Sequence, residues 1–263
     1  MKKSISFLVL TIAVLFAFMA CDGTLHEIPA PDLPVNEPLP VPVTTEADDD
    51  LITGVYKGVF VNADYFGDFN ISVTDAGTAA ILNVRVNGKV ATVTGVVSDE
   101  YYVSEGYLEL TFPFTLLDTD FEFRALLYDD TTIGVGVALD GFRSDILTSA
   151  LKDRTTARVN TWTGLYSGSG TGFYISGKWN MVTVLNEVYA VFAGTKTQGG
   201  TSTTDAGQAE GEKNVTDISL DLLLEEGTGT AAGSQAGSTM YGTWETTIDA
   251  AAASGNWSVS KTM

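Results

Sequence analysis

Carboxylates are the side chains with the numbers to do chemistry here: 33 aspartates and glutamates stand against 14 lysines and arginines. The single histidine, His26, and the single cysteine, Cys21, both lie near the N-terminus. Ser-His-Asp or Cys-His hydrolysis therefore has no base beyond residue 26. A zinc site built on His or Cys has no ligands there either. Oxygen chemistry remains. Asp64, Asp68, Asp118, Asp120, Asp129, Asp130 and Asp140 fall at expected turns. The spacing Asp118-x-Asp120 suits calcium through oxygens, but the rest of an EF-hand loop is absent. Turns also favour aspartate for its own backbone hydrogen bonds, and that is the expected role of these residues. Glycoside hydrolysis needs only two carboxyl groups, yet no spacing here pairs two particular ones. No cofactor is expected.

Aromatic residues are the second resource. Tyr65-Phe66 and Tyr101-Tyr102 sit near turns. Adjacent residues in a strand point to opposite faces, so both members of a pair cannot enter one core. These four are the candidate ligand contacts. Trp162, Trp179, Trp244 and Trp257 lie in or beside expected strands, where aromatics are mostly core; the alternative is a platform for stacking on sugars. Gly168-Ser-Gly170-Thr-Gly172 has the look of a phosphate-cradling loop, but no helix and no Lys-Ser/Thr follow it. A bulge at a strand end is the better account.

The elements that must position these residues are strands. From Leu51 onward β-branched and aromatic residues alternate with polar ones, punctuated by Gly, Asp and Asn. Expected strands in the first half are 52–61, 69–74, 80–86, 89–97, 107–116, 121–128 and 132–139. Val86-Asn87-Gly88-Lys89 carries the signal of a two-residue hairpin. One stretch reads as helix: in 144–154, Ile146, Leu147, Ala150 and Leu151 share a helical face behind a Ser144 cap. Strands resume at 163–168, 173–185, 189–195, 215–224, 240–248 and 256–261. The Gly/Ser/Thr/Ala-rich stretches 198–213 and 227–238 read as long mobile loops. The fold class is all-β, an antiparallel meander closed as a barrel or folded as a sandwich.

The two strand sets start alike. Residues 53–71 align without gaps on 163–181 at an offset of 110, and six of the 19 positions are identical. Ordinary composition gives about one by chance. Two tandem similar β domains are therefore expected, 51–142 and 161–263, joined by a helical or irregular linker at 143–160.

Ahead of them lies DGTLHEIPAPDLPVNEPLPVPVTTEADDD, residues 22–50, with six of the seven prolines. Such spacing favours polyproline II. At about 3.1 Å per residue the segment reaches up to about 90 Å as a semi-rigid spacer. Before it, Lys2-Lys3 precede the apolar run Ile5 to Ala20, too short to span a bilayer as a helix. A charged start, a short apolar core and a small residue before the cut make a signal peptide. The site Phe18-Met19-Ala20-Cys21 resembles the lipobox of bacterial lipoproteins, with Phe18 where Leu is usual. The resemblance covers residues 1–21 alone. It implies that Cys21 becomes the diacylglycerol-modified N-terminus of a membrane-anchored cell-envelope protein, on the periplasmic face or the outer surface. Residues 1–20 are then a signal peptide and 21–50 a lipidated tether.

Removing residues 1–20, with their two lysines, takes the net charge from −19 to −21. Such a chain repels nucleic acid and anionic membrane, and attracts cations and basic partners. The expected function is a lipid-anchored, non-enzymatic binding or structural module with a protein or glycan partner. A lipocalin-like carrier of a small apolar ligand is the second reading, and a carboxylate glycosidase the third.

Overall fold

The computed structural model describes residues 36–263 apart from 76–78, 98–106, 129–130, 144, 225–226 and 249–250. It is all-β and antiparallel, as the alternation requires. In the second half, Val159–Gly170 (β11), Phe173–Val184 (β12), Glu187–Gln198 (β13), Thr201–Asn214 (β14), Asp217–Leu224 (β15), Gly227–Ala236 (β16), Thr239–Ile248 (β17) and Ala251–Lys261 (β18) run up and down. They close as a barrel when β18 pairs back onto β11. In β15 burial alternates at every residue, with Ile218, Leu220, Leu222 and Leu224 inside.

The first half is two five-stranded sheets around one core. Lys89–Thr94 (β4), Ala79–Val86 (β3), Phe66–Asp75 (β2), Gly54–Val61 (β1) and Leu147–Asp153 (β10) form one. Val96–Val97 (β5), Tyr107–Leu116 (β6), Thr119–Tyr128 (β7), Ile133–Leu139 (β8) and Phe142–Arg143 (β9) form the other. Phe60, Phe69, Phe112 and Phe123 pack between them. Here too the last strand, β10, returns to pair with the first, β1.

The stretch expected as a helix is therefore the strand β10. The sequence signal misleads because β10 is buried on both sides. Leu147 and Leu151 pack toward the barrel, while Ile146 and Ala150 pack into the first core. A strand with two apolar faces loses its period of two; Ser144, the expected helix cap, lies outside the described residues.

The two expected loops are β14 and β16. Their small residues face inward where large rings of nearby strands lean over them, Phe192 from the adjacent β13 and Trp257 from β18, two strands on. A Cβ at Gly233 would lie 2.5 Å from Trp257, and one at Gly207 2.5 Å from Phe192. A close-packed interior of fixed width needs a small residue wherever a large one crosses it. Composition alone reads these strands as linker.

The phosphate-loop resemblance resolves into the end of β11 and a two-residue turn, with Gly172 at φ +84°. The ungapped alignment of the two halves does not keep one pairing register. Gly58 faces Phe69 across β1 and β2, whereas Gly164, not Gly168, faces Trp179 across β11 and β12. The β1–β2 loop has four residues and the β11–β12 turn has two, and β11 ends one aligned position earlier; together these give the four-residue shift.

The second half of the proline-rich segment is not a free spacer. Residues 36–44 lie along the first half. The Glu37 amide donates to the Gly88 carbonyl, Arg85 donates to the Glu37 carbonyl, and Asn70 donates to the Pro40 carbonyl. Leu39 is buried. Proline lacks an amide proton but keeps its carbonyl, so a proline-rich strap can be held by carbonyls alone.

Candidate functional site

Three regions could carry function: the barrel interior, the seam between the halves, and the outer barrel wall. The interior is full. All four tryptophans are buried in it, with Trp179 stacked between Phe192 at 5.0 Å and Trp257 at 5.7 Å. The cavity beside Tyr166, Trp179 and Trp244 measures about 10 Å³, which is the size of one water. Burial, and then the nearby Asp205 charge, push the Tyr166 hydroxyl far above its ordinary pKa, so it stays neutral.

The seam is polar and dry. Arg85 forks onto Asp68, Nε to Oδ1 at 2.8 Å and Nη2 to Oδ2 at 2.7 Å. Thr161 of the barrel donates to the same carboxylate at 3.4 Å. Burial pushes the Asp68 carboxyl above its usual range, with the Arg85 charge opposing. Asp153 accepts from Lys57 at 2.9 Å, from Arg158 at 3.0 Å, from the Val159 amide at 2.7 Å and from Thr44 of the strap at 2.5 Å. Asn180 of the barrel donates to the Phe60 carbonyl. Each carboxylate is saturated by donors from separate elements, so the arrangement fastens the strap and the two halves together. Around it Val59, Val61, Phe66, Val159, Val182 and Val191 form an apolar seal.

The strap is also tied at its surface. Glu37 accepts from Lys89 and the Val90 amide, Asp48 from Thr45 and Thr53, and Asp49 from the Thr155 hydroxyl and amide. These hydrogen bonds hold all three carboxyls below their ordinary pKa. Their contribution is present above the ordinary carboxylate value and is lost as pH falls through the depressed one. The strap is expected to stay docked at pH 5 and 7 and to loosen below about pH 4. Hydrogen exchange of the Glu37 amide, taken as protection relative to the free-chain rate between pH 4.5 and 2, reads this out. Constant protection across that range would mean that the backbone contacts hold the strap without these carboxylates.

Open space lies on the outer wall, and a smaller depression of about 350 Å³ lies beside Phe114, Asp120 and Phe121 of the first half. A trough of about 680 Å³ lies between β10 and the outside of β13 to β16. Tyr189 and Leu223 give it apolar surface, and Leu223 is 63% exposed. Glu210 and Asp221 stand beside them, directly opposite each other across β14 and β15. A second depression of about 460 Å³ continues it past Thr230 to Glu245 and Asn256. Tyr189, Glu210, Asp221, Thr230 and Glu245 form one register row across five strands. The Tyr189 hydroxyl donates to Glu187 at 3.0 Å, and burial with that bond pushes its pKa up.

The residues expected to touch a ligand lie elsewhere. Tyr65 is half-buried, its ring edge-on to Phe121 at 5.2 Å and its hydroxyl 2.8 Å from Thr119. Phe66 is buried in the seam under the Lys178 ammonium at 4.6 Å. The pair does face two ways, but into two packed regions. Tyr101 and Tyr102 lie outside the described residues, as does Cys21. Asp118 sits at a hairpin turn with φ 58°, and Asp120 accepts from Thr115 at 2.6 Å. Among the described residues no three Asp, Glu, His or Cys side chains converge as a metal site would require. Sequence reading missed Glu210, Asp221 and Leu223 as a group because 198–213 read as loop. Outward alternation in β14 and β15 was the available signal.

No protein-family model matches this chain, and no curated protein is significantly similar to it.

Proposed function

We propose that this chain is a lipid-anchored protein of the bacterial envelope, held through Cys21, that binds a partner without catalysis through the outer-wall trough. The observation that carries the binding half is the trough itself: Leu223 held open to water beside Tyr189 and two carboxylates. Its volume falls within the range of ligand sites. Glycoside hydrolysis finds less support. A general acid needs burial to hold its proton, and Glu210 and Asp221 are exposed on the outer wall. A carrier role finds less support again, because the barrel interior has room for about one water. The anchor rests on the lipobox resemblance, and no helix among the described residues is long and apolar enough to cross a membrane.

The test places a photo-crosslinking residue at Leu223, or at the exposed Ile81 of the first half, in intact cells. A discrete adduct is expected at 223 and not at 81, with the protein in the detergent phase. Adducts at both positions or at neither would remove the trough as the binding surface. A mature N-terminal peptide from the cell that begins at Cys21 without an acyl mass, or that does not begin at Cys21, would remove the anchor.

A further inference from the structure

We infer that the trough takes an extended peptide segment bearing lysine or arginine; this rests on the proposed reading of the trough as the binding surface. Charge is sorted by side along the barrel. On β13 to β18 the outward positions of the described residues carry Glu187, Glu210, Glu212, Asp217, Asp221 and Glu245. Lys196, Lys213 and Lys261 all fall on the inward alternation. Among the described residues of β13 to β18 the outer face therefore presents six carboxylates and no base. The pairing register makes this sharper. Glu187 faces Glu212, and Glu210 faces Asp221, each directly across a strand pair. Like charges so placed repel and destabilise an empty sheet. A cation between them relieves that repulsion, which a neutral glycan does not, and a nucleic acid or anionic membrane adds to it.

Shape points to an elongated occupant. The two depressions meet at Thr230, and the register row runs on to Ser254 of β18. Five strand intervals of about 4.8 Å make a path of about 24 Å, which an extended chain of about seven residues covers. Leu223 offers apolar contact to a side chain, and the Tyr189 ring offers a face to a cation. Alternating basic and apolar residues fit both features.

The experiment uses the full chain in detergent and fluorescence anisotropy. The probes are a labelled nine-residue peptide of alternating lysine and valine, its glutamate counterpart, and a neutral oligosaccharide. The lysine peptide is expected to bind and the glutamate peptide not to, with affinity falling as salt screens the carboxylates. Glu210→Gln with Asp221→Asn should weaken the lysine peptide by about tenfold without lowering the melting temperature, since it removes a repulsion. Glu109→Gln with Asp118→Asn has the same net charge and should change binding by less than about twofold. Equal losses in the two double variants would mean net charge alone is sensed, and would overturn the inference. Oligosaccharide binding that Leu223→Ser abolishes, with no peptide binding, would overturn the peptide and leave the trough. If Leu223→Ser changes binding of no probe, the trough reading falls as well.

Discussion

Arg85→Met is expected to lower the unfolding free energy by about 3–5 kcal/mol, because it leaves the Asp68 carboxylate buried with no counter-charge. The side chain of Asp68 is fully enclosed, and the remaining Thr161 and Thr262 hydroxyls cannot replace a guanidinium fork. Adding Asp68→Leu should recover most of the loss. Two charges taken out of water cost about as much as their attraction returns, so removing both is nearly neutral where removing one is not. The pH dependence follows from the direction of the shift. Burial raises the Asp68 carboxyl, and losing Arg85 raises it further. An acid with a raised folded pKa weakens the fold above its unfolded value and not below both values. The deficit of Arg85→Met should therefore shrink below about pH 4. Urea unfolding at pH 7 and at pH 3.5 measures both points. A double variant as weak as the single one would show that the pair contributes more than mutual compensation.

Asp153→Asn is the second large effect, again about 3–5 kcal/mol. The carboxylate has no exposed surface and accepts from four donors: Thr44 of the strap, Lys57 of β1, and Arg158 with the Val159 amide at the entry to the barrel. Lys57 is as buried as its partner and would keep only the Val159 carbonyl. Arg158 is half-exposed, so its share is small. The loss should be felt at a distance. Amide exchange should speed up in the strap, in β10 and at the start of β11 together, while β15 and β17 in the far wall stay protected. Adding Lys57→Met should restore stability without restoring the Thr44 contact, so strap protection should stay low. Fast exchange confined to residue 153 and its neighbours would show that the strap and the halves hold without this carboxylate.

Both effects arise from the seam, and the seam was the part of the molecule least legible in sequence. Asp68 reads as a turn aspartate and Asp153 as part of a linker. Nothing local says that one meets Arg85 and Thr161 and the other Lys57 and Thr44, at separations of up to 109 residues. The strap shows the same limit. Its prolines rule out helix and central strand correctly, but they do not say whether the extended chain floats or docks. Docking is decided by Asn70, Arg85 and Gly88, which lie far along the chain.

The sequence by itself determined the fold class, most strand positions and the burial of the four tryptophans. Alternation is a local property of a strand with one wet face, and β15 shows it at every residue. The tertiary structure decided what alternation cannot carry. It made β10 a strand, because burial on both sides erases the period. It made β14 and β16 walls rather than loops, because their glycines and alanines are small only in relation to the rings that nearby strands lay over them. It brought Glu210, Asp221 and Leu223 into one trough, because register sets which outward residues become neighbours. Local pattern fixes which way a side chain points along its own strand; pairing across the chain fixes what it meets there.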